Sequence, residues 1–533
     1  MPVTFPGPAR GVPALAVGDA QEPQSHRLSP ARAALLPLAC AAALAAIGLF
    51  DGRHDSHALR WSLFGAAGVL AAGAAILYAA ARRSGRQLAI ELVARRQHYL
   101  QACAQGSVLL YWGWYWREVY HSADLLVAQL LFAYAVDMLI NWAQRDRYTL
   151  GFAPFPVIFS INLFLWFKPD WFYLQFLMVA TGFAAKALIR WQKNGRPAHI
   201  FNPSSFPLAV FSLALIVTGA SDMTWGQSIA STQFYPPQMY AMLFLIGLPG
   251  QFFFGVTSMT LAAVVATYLF GLVYFAATGV YFFYDSYIPI AVFLGMHLLF
   301  TDPSTSPSTE LGRIIFGIVY GLSTVALYAL LTRAGVPAFY DKLLQVPLMN
   351  LSITLIDRAA RSPLLRRLDP SPLGQHLAPR GRNLAYIGVW TLVFVVMSAA
   401  GGVGDDHPGQ WLPFWQRACA ANRAGACDYA ANLEAGYCES GSGWGCNEAG
   451  IAQARRANYA ASADAWQRGC ALGFTAACAN RNAKSVDGAL HSASPTLDDL
   501  PILGRGSKGP IADRSPAALR SAACRAGWLS VCQ

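Results

Sequence analysis

Long apolar runs separated by short polar loops dominate residues 31–401. Two runs, at about 33–50 and 61–81, predict a helical hairpin. Ten more lie near 99–116, 123–142, 152–167, 171–189, 204–219, 237–255, 257–277, 286–300, 313–332 and 342–357, and a last one spans about 384–400. An upright helix needs roughly 20 apolar residues to cross a bilayer. Several of these runs are shorter, which predicts interrupted spans whose freed backbone groups must be buried in protein or face a wet cavity. The expected fold class is all-α: a polytopic membrane helix bundle with broken or short helices, followed by a small disulfide-bonded α-helical repeat domain.

Composition agrees with that pattern. Of 533 residues, 55% are hydrophobic and 13% charged, and the mean hydropathy is +0.36. The net charge of +11 does not point to nucleic acid, because the basic residues sit in short loops between apolar runs. There they set orientation. Arg82, Arg83, Arg86, Arg95 and Arg96 follow the hairpin, and later loops of the same parity carry Arg145, Arg147, Arg190, Lys193, Arg196 and Arg313. The opposite loops hold little. This predicts a bacterial inner-membrane protein in contact with lipid, with a cytoplasmic N-terminus and a periplasmic tail.

The expected organisation is a disordered cytoplasmic segment at 1–30, the hairpin and basic linker at 31–96, the main membrane domain at 97–358, a basic cytoplasmic linker at 359–383, a final span at 384–401 and the tail at 402–533. The hairpin loop holds His54 and His57. A solvated loop is the plainer reading of these; a metal site is the other.

The chain breaks most sharply between Gly295 and Gly321, where an apolar run stops at Phe300 and a hydroxyl-rich turn follows. Thr301, Asp302, Ser304, Thr305 and Ser306 place donors and acceptors at one depth. Two readings stand side by side: a well-capped loop, or a turn lining a ligand. Asn202-Pro203, followed by Ser204, has the same capping logic as Asp302-Pro303. The Asn or Asp accepts from free N–H groups at a helix start, and Pro has no N–H to orphan. Such a start facing a cavity also favours anions. Counting segments, one turn opens the fifth core run and the other the ninth, so the two are not equivalent halves of a repeat. Asp137 and His297 interrupt apolar runs and are candidates for a proton or ion relay. Asn162 and Asn350 read as polar pairs joining helices, and Asp285 as interfacial.

Three blocks carry a resemblance: His199-Ile-Phe-Asn-Pro-Ser-Ser205, the TDPSTSPSTELGRIIFGIVYG stretch from Thr301 to Gly321, and Leu348-Met-Asn350 leading to Ile356-Asp357-Arg358. In this order they resemble the NqrB/RnfD family, the membrane subunits of the sodium-pumping quinone reductase and the Rnf electron-transport complex. The match is nearest to the stand-alone branch labelled enediyne-biosynthesis membrane proteins, and it covers roughly residues 97–358. The resemblance implies an electron-transport protein that binds flavin or quinone and meets redox partner proteins. It implies cofactor contacts from Asn202, Pro203, Ser204, Thr257, His297, Thr301, Asp302, Ser304, Thr305 and Ser306. Residues 246–261 resemble the family's Gly-rich approach to a helix, with Thr257 in its Thr/Ser pair. Covalent FMN attachment in the family uses a Ser-Gly-Ala-Thr type sequence. Residues 221–238 lack it, so FMN, riboflavin or quinone is expected to be held without a covalent bond.

The tail changes character. Its eight cysteines form four pairs with seven residues between the members of each: Cys419 with Cys427, Cys438 with Cys446, Cys470 with Cys478, and Cys524 with Cys532. In one unbroken helix such residues stand ~12 Å apart, too far to bridge. A glycine ending the first helix lets the chain double back, and Gly441, Gly473 and Gly527 stand three residues after the first cysteine of three pairs. The pairs therefore predict disulfides across antiparallel helix pairs in an oxidising compartment. AWQRGCALGFTAACAN resembles a Sel1-like repeat, a relative of the tetratricopeptide repeat. The likeness implies a stacked scaffold that binds an extracytoplasmic protein. Residues 483–520 read as a loop. Two further readings of the whole chain remain open: a small-solute or ion transporter or channel on the same fold, and a membrane anchor for the repeats.

Overall fold

The computed structural model describes residues 25–50, 52–193, 195–374, 376–482, 490–504 and 513–532. It is α-helical apart from two small sheets. The hairpin is α1 (Pro30–Phe50) and α2 (His57–Ser84). The main membrane domain follows with α3 (Arg96–Tyr115), the short α4 (Glu118–His121), α5 (Ala123–Arg145), α6 (Pro154–Asn162), α7 (Phe172–Leu188), α8 (Ser205–Thr218), the short α9 (Gly226–Thr232), α10 (Met239–Phe254), α11 (Thr257–Thr278), α12 (Ile290–Leu298), α13 (Glu310–Arg333) and α14 (Gln345–Ala360). The last membrane helix is α15 (Pro379–Ala399). Among the described residues, seven helical stretches are long and apolar enough to cross a membrane. This is a multi-pass membrane protein.

Each expected apolar run corresponds to one of these helices, and the short ones are genuine half-helices. Both α6 and α12 have nine residues, and every residue of α12 is buried. Each is followed by an extended stretch and a 3-10 turn opening on proline, Pro169–Trp171 after α6 and Pro303–Thr305 after α12. The carbonyls and amides freed by these breaks are met by buried side-chain amides. Gln105 donates to the Leu298 carbonyl, Asn202 to Leu299 and Gln233 to Leu163, while Gln175 accepts from the Phe167 N–H. Without these bonds each group would stand orphaned in a medium with no water, at a cost of several kcal/mol apiece.

The packing repeats internally. Helix α3 packs on α6 as α10 does on α12, α5 on α6 and α7 as α11 does on α12 and α13, and α7 on α8 as α13 does on α14. The pairs α3–α10 and α8–α14 also touch, each helix meeting its own counterpart. The repeat is real, but its register differs from the one tested by comparing Asn202-Pro203 with Asp302-Pro303. Where α8 and α14 meet, Asn350 Oδ1 accepts the Asn202 N–H at 3.2 Å.

Two regions depart from expectation. Ser25–Leu28, within the stretch expected to be disordered, forms strand β1, antiparallel to β2 (Leu88–Leu92), which runs parallel to β3 (Arg147–Leu150). The remaining expected disorder, 1–24, lies outside the described residues. A second hairpin, β4 (Arg190–Lys193) with β5 (Arg196–His199), precedes α8. The α1–α2 loop is not simply solvated: His54 is buried, with Nε2 3.2 Å from Asp124 Oδ1.

The tail is built from α16 (Leu412–Ala420), α17 (Ala426–Glu439), α18 (Gly443–Arg455), α19 (Tyr459–Ala471), α20 (Thr475–Asn482), α21 (Leu500–Leu503) and α22 (Pro516–Arg525). All four expected disulfides form. Cys419 bonds to Cys427 between α16 and α17, with Cα atoms 4.6 Å apart. Cys438 bonds to Cys446 between α17 and α18 at 4.3 Å, and Cys470 to Cys478 between α19 and α20 at 4.5 Å. Cys524 of α22 bonds to Cys532 at 5.2 Å. This last pair departs from the expected helix pair, because Cys532 follows a 3-10 turn, Leu529–Val531, instead of sitting on a second α-helix. Gly441, Gly473 and Gly527 have φ of 93°, 82° and 90°, and the first pair, which lacks the glycine, uses Asn422 at φ 54°. Asn is the side chain that best tolerates this left-handed region. Residues 483–520, expected as a loop, include α21 and the start of α22. The tail is not free-standing. Tyr284 of the α11–α12 connection stacks on Tyr429 at 4.3 Å, and Tyr281 packs against Phe414 and His407.

Candidate functional site

A cavity of about 430 Å³ opens beside the basic connections and is lined by α3, α5, α6, α7, β5 and the two turns at Asn202 and Asp302. Its wall on α3 runs from Gln97 to Gln105, which is ~12 Å along the helix axis. Hydrocarbon is ~30 Å thick, so the cavity is an invagination ending well short of the opposite face. Beside its wall, Gln105 Nε2 donates to Ser160 Oγ at 2.7 Å. Deeper still, Gln129, Asn162 and Gln175 form a closed amide network.

The lining mixes polar and apolar side chains and carries a cationic excess. Arg95, Arg145, Lys186 and Arg190 contribute four positive charges against the two carboxylates of Asp137 and Asp302. They come from the approach to α3 (Arg95), the C-terminal half of α5 (Asp137, Arg145), the α7–β4 junction (Lys186, Arg190) and the Asp302 turn, segments far apart in sequence. His98 and His199 also line it.

The expected site residues separate into groups. Asn202, Pro203, Ser204, Asp302, Ser304 and Asp137 line this cavity. The Asn202 carboxamide accepts from the Ser204 N–H at 2.9 Å, the Ser204 hydroxyl at 2.7 Å and the Ser205 N–H at 3.1 Å, fixing the start of α8. Asp302 does the same for its turn, accepting from the Ser304 N–H and hydroxyl. The Ser304 hydroxyl lies 3.0 Å from His199 Nε2, tying the turn to β5.

The other hydroxyls of the turn are used internally. Thr301 Oγ1 donates to the His297 carbonyl and Ser306 Oγ to the Asp302 carbonyl. The Thr305 carbonyl accepts from Asn350 Nδ2. Asp357 receives the N–H and hydroxyl of both Ser308 and Thr309. The turn is therefore a capped loop along most of its length and lines the cavity only at Asp302 and Ser304. Thr305, Ser306 and Thr257 do not line the cavity; Thr257 is buried at the start of α11.

His297 is separated from Asp137. It lines a neighbouring cavity of about 20 Å³ with Gln251 and Thr301, a volume fit for a water molecule rather than a cofactor. Its Nδ1 is 2.7 Å from the Phe293 carbonyl, and its Nε2 makes no hydrogen bond to protein. Gly247, in the Gly-rich approach to α11, makes room for this ring: a Cβ there would lie 2.9 Å from His297 Cδ2. Asn162 joins α6 to α5 through Gln129; Asn350 instead ties α14 to the two turns, accepting the Asn202 N–H and donating to the Thr305 carbonyl. Asp285 accepts from Ser286 beside the surface where the tail docks.

Sequence reasoning missed Lys186, Arg190, Arg95, Arg145 and His98 as lining residues. For the three arginines the signal was present as basic residues at helix ends, but orientation alone explained them. Comparison with protein-family models, curated proteins and solved structures finds no match.

Proposed function

We propose that this chain is an integral-membrane electron-transport protein of the NqrB/RnfD type that holds a flavin non-covalently in the large cavity. The observation that carries the reading is the charge of the lining, four cations against two carboxylates at the mouth of a 430 Å³ cavity. That balance suits a planar ligand bearing a phosphate, and so favours FMN over riboflavin or a neutral quinone, which asks for an apolar slot. Lys186 and Arg190 would meet the phosphate. The amides and hydroxyls of the Asn202 and Asp302 turns would meet the ring edge. The bound flavin would supply one- and two-electron chemistry; the protein orients it and shields it from water.

The basic loops support a cytoplasmic cavity mouth, and the disulfides an extracytoplasmic tail. A soluble redox protein would then reach the flavin from the cytoplasmic side, and an extracytoplasmic protein would meet the repeats. The depth of the cavity is the argument against the alternative of a solute transporter or channel. A path of ~12 Å beside a closed amide network leaves more than half of a ~30 Å hydrocarbon layer uncrossed.

The test is an absorption spectrum of detergent-purified protein before and after dithionite, with acid extraction to show that the chromophore is released. A bleachable flavin band, lost in Lys186→Gln/Arg190→Gln, is expected. Colourless protein that takes up no added FMN, together with anion flux in liposomes lacking redox partners, would replace this reading with the transporter.

A further inference from the structure

The repeat domain carries a polypeptide in its own groove. The extended segment from Leu490 to Pro495 crosses α18 and α20, and it is held there by its backbone. Asn480, 2% exposed, pairs with one residue in both directions. Its Nδ2 donates to the His491 carbonyl at 2.7 Å, and its Oδ1 accepts the His491 N–H at 2.7 Å. Asn447, fully buried, donates to the same carbonyl at 3.0 Å. Two residues along, Trp444 Nε1 donates to the Ala493 carbonyl at 2.8 Å. Between them the Ser492 hydroxyl donates to Glu448 Oε1 at 2.9 Å.

These bonds form a built recognition surface. Asn480 Nδ2 also donates to Asn447 Oδ1, and Asn447 Nδ2 to Glu448, so the readers fix one another's orientation. Buried amides with such partners are costly to leave unsatisfied, which explains why the groove does not stand empty. Beyond its main chain the occupant contributes Leu490, partly buried against the domain core, and one serine hydroxyl. His491, Ser492, Ala493 and Ser494 are exposed, and four of the five bonds go to groups any residue possesses. Two further apolar residues, Leu500 and Leu503, lie beyond the strap and are buried in the same core.

We infer that the groove formed by Trp444, Asn447, Glu448 and Asn480 is a binding site for an extended peptide, and that residues 490–495 are its tethered occupant. The partner is an extended segment of an extracytoplasmic protein with a serine or threonine at its second clamped position, where Glu448 takes the hydroxyl. This deepens the partner-binding reading of the repeats and rests on it. The tether gives the strap a high effective concentration, so the partner binds only by displacing it.

The experiment titrates full-length, detergent-purified protein with a fluorescent acetylated peptide, ALHSASPT, of the strap sequence. His491→Pro removes the strap's clamped N–H and should release it without touching the groove. The variant is expected to bind the peptide at least tenfold more tightly than wild type. A peptide N-methylated at its histidine nitrogen tests the groove with the protein unaltered, and is expected to lose binding to the variant. A peptide with alanine for its first serine should bind several-fold more weakly. Equal binding by wild type and His491→Pro, or by the N-methylated and unmodified peptides, would overturn the clamp. Crosslinking in whole cells separates this from the broader reading. A protein captured by the repeats with negative titrations would leave partner binding standing and remove the clamp. Positive titrations together with stronger capture by His491→Pro would support both.

Discussion

The closest helix crossing in the membrane domain offers a sharp test. Gly317 and Gly321, one turn apart on α13, face α11 directly. A Cβ on Gly317 would stand 2.2 Å from the Met259 carbonyl oxygen, with Ala262 Cβ and Ala263 N both at 3.1 Å. Ordinary contact begins near 3.4 Å, so Gly317→Ala forces the two backbones about 1.2 Å apart. The obstacle is main chain, which has no rotamer to change. Overpacking of this kind costs ~3 kcal/mol at the upper end of its usual range. Alanine regains ~1 kcal/mol of helix propensity, leaving a net loss of about 2 kcal/mol. In the membrane no hydrophobic drive holds helices together, so close packing between small residues matters more. Gly388→Ala on α15, where nothing lies within 4 Å, isolates the propensity gain. Thermal unfolding in detergent, followed by tryptophan fluorescence, should show Gly317→Ala melting clearly below wild type and Gly388→Ala at or above it. Wild-type stability for Gly317→Ala, with Gly388→Ala behaving as stated, would refute the reasoning.

Asn202→Ala removes three accepted hydrogen bonds at the start of α8 and should cost ~1–2 kcal/mol, read as a lower melting temperature and weaker FMN uptake. Replacing both Cys470 and Cys478 by serine frees a short loop of the unfolded chain and should cost ~2.5 kcal/mol, read as faster proteolysis of the tail with the membrane domain intact. Burial pushes the Glu434 carboxyl up to about 7 from 4.5. The folded protein then binds more protons than the unfolded one between those values, so stability falls as pH rises through that window. Glu434→Gln should flatten this fall, measured as melting temperature from pH 4 to 8. Burial pushes the His407 imidazole down to about 4 from 6.5. The sign reverses: stability is lost as pH drops from 6.5 towards 4, and His407→Phe should remove that acid sensitivity of the docking between tail and membrane domain.

The number and order of membrane helices were legible because each must be apolar along its length, a local property of sequence. The half-helices were legible for the same reason: a run too short to span leaves backbone groups that only burial can satisfy. The disulfides followed from equal cysteine spacings, and the turn conformation from glycines placed at +3; Asn422 shows the rule holding where the glycine is absent. The caps at Asn202 and Asp302 were readable because a cap is a contact between neighbours in the chain.

What only the tertiary structure decided was which groups meet across the chain. Arg190, Arg95 and Arg145 each read as an orientation signal alone, and Lys186 carried no signal of its own; converging, the four give a cavity its charge. His297 and Asp137, similar as isolated polar residues, fall in different cavities. Asn202 meets Asn350, 148 residues away, through a buried hydrogen bond that neither local sequence announces. The groove that holds His491 depends on Asn447 and Asn480, two asparagines with no local peculiarity. Periodicity, capping and cysteine spacing act within a few residues and leave a trace in the sequence. Convergence of distant side chains depends on how helices cross, and that is fixed by packing distributed over the whole molecule.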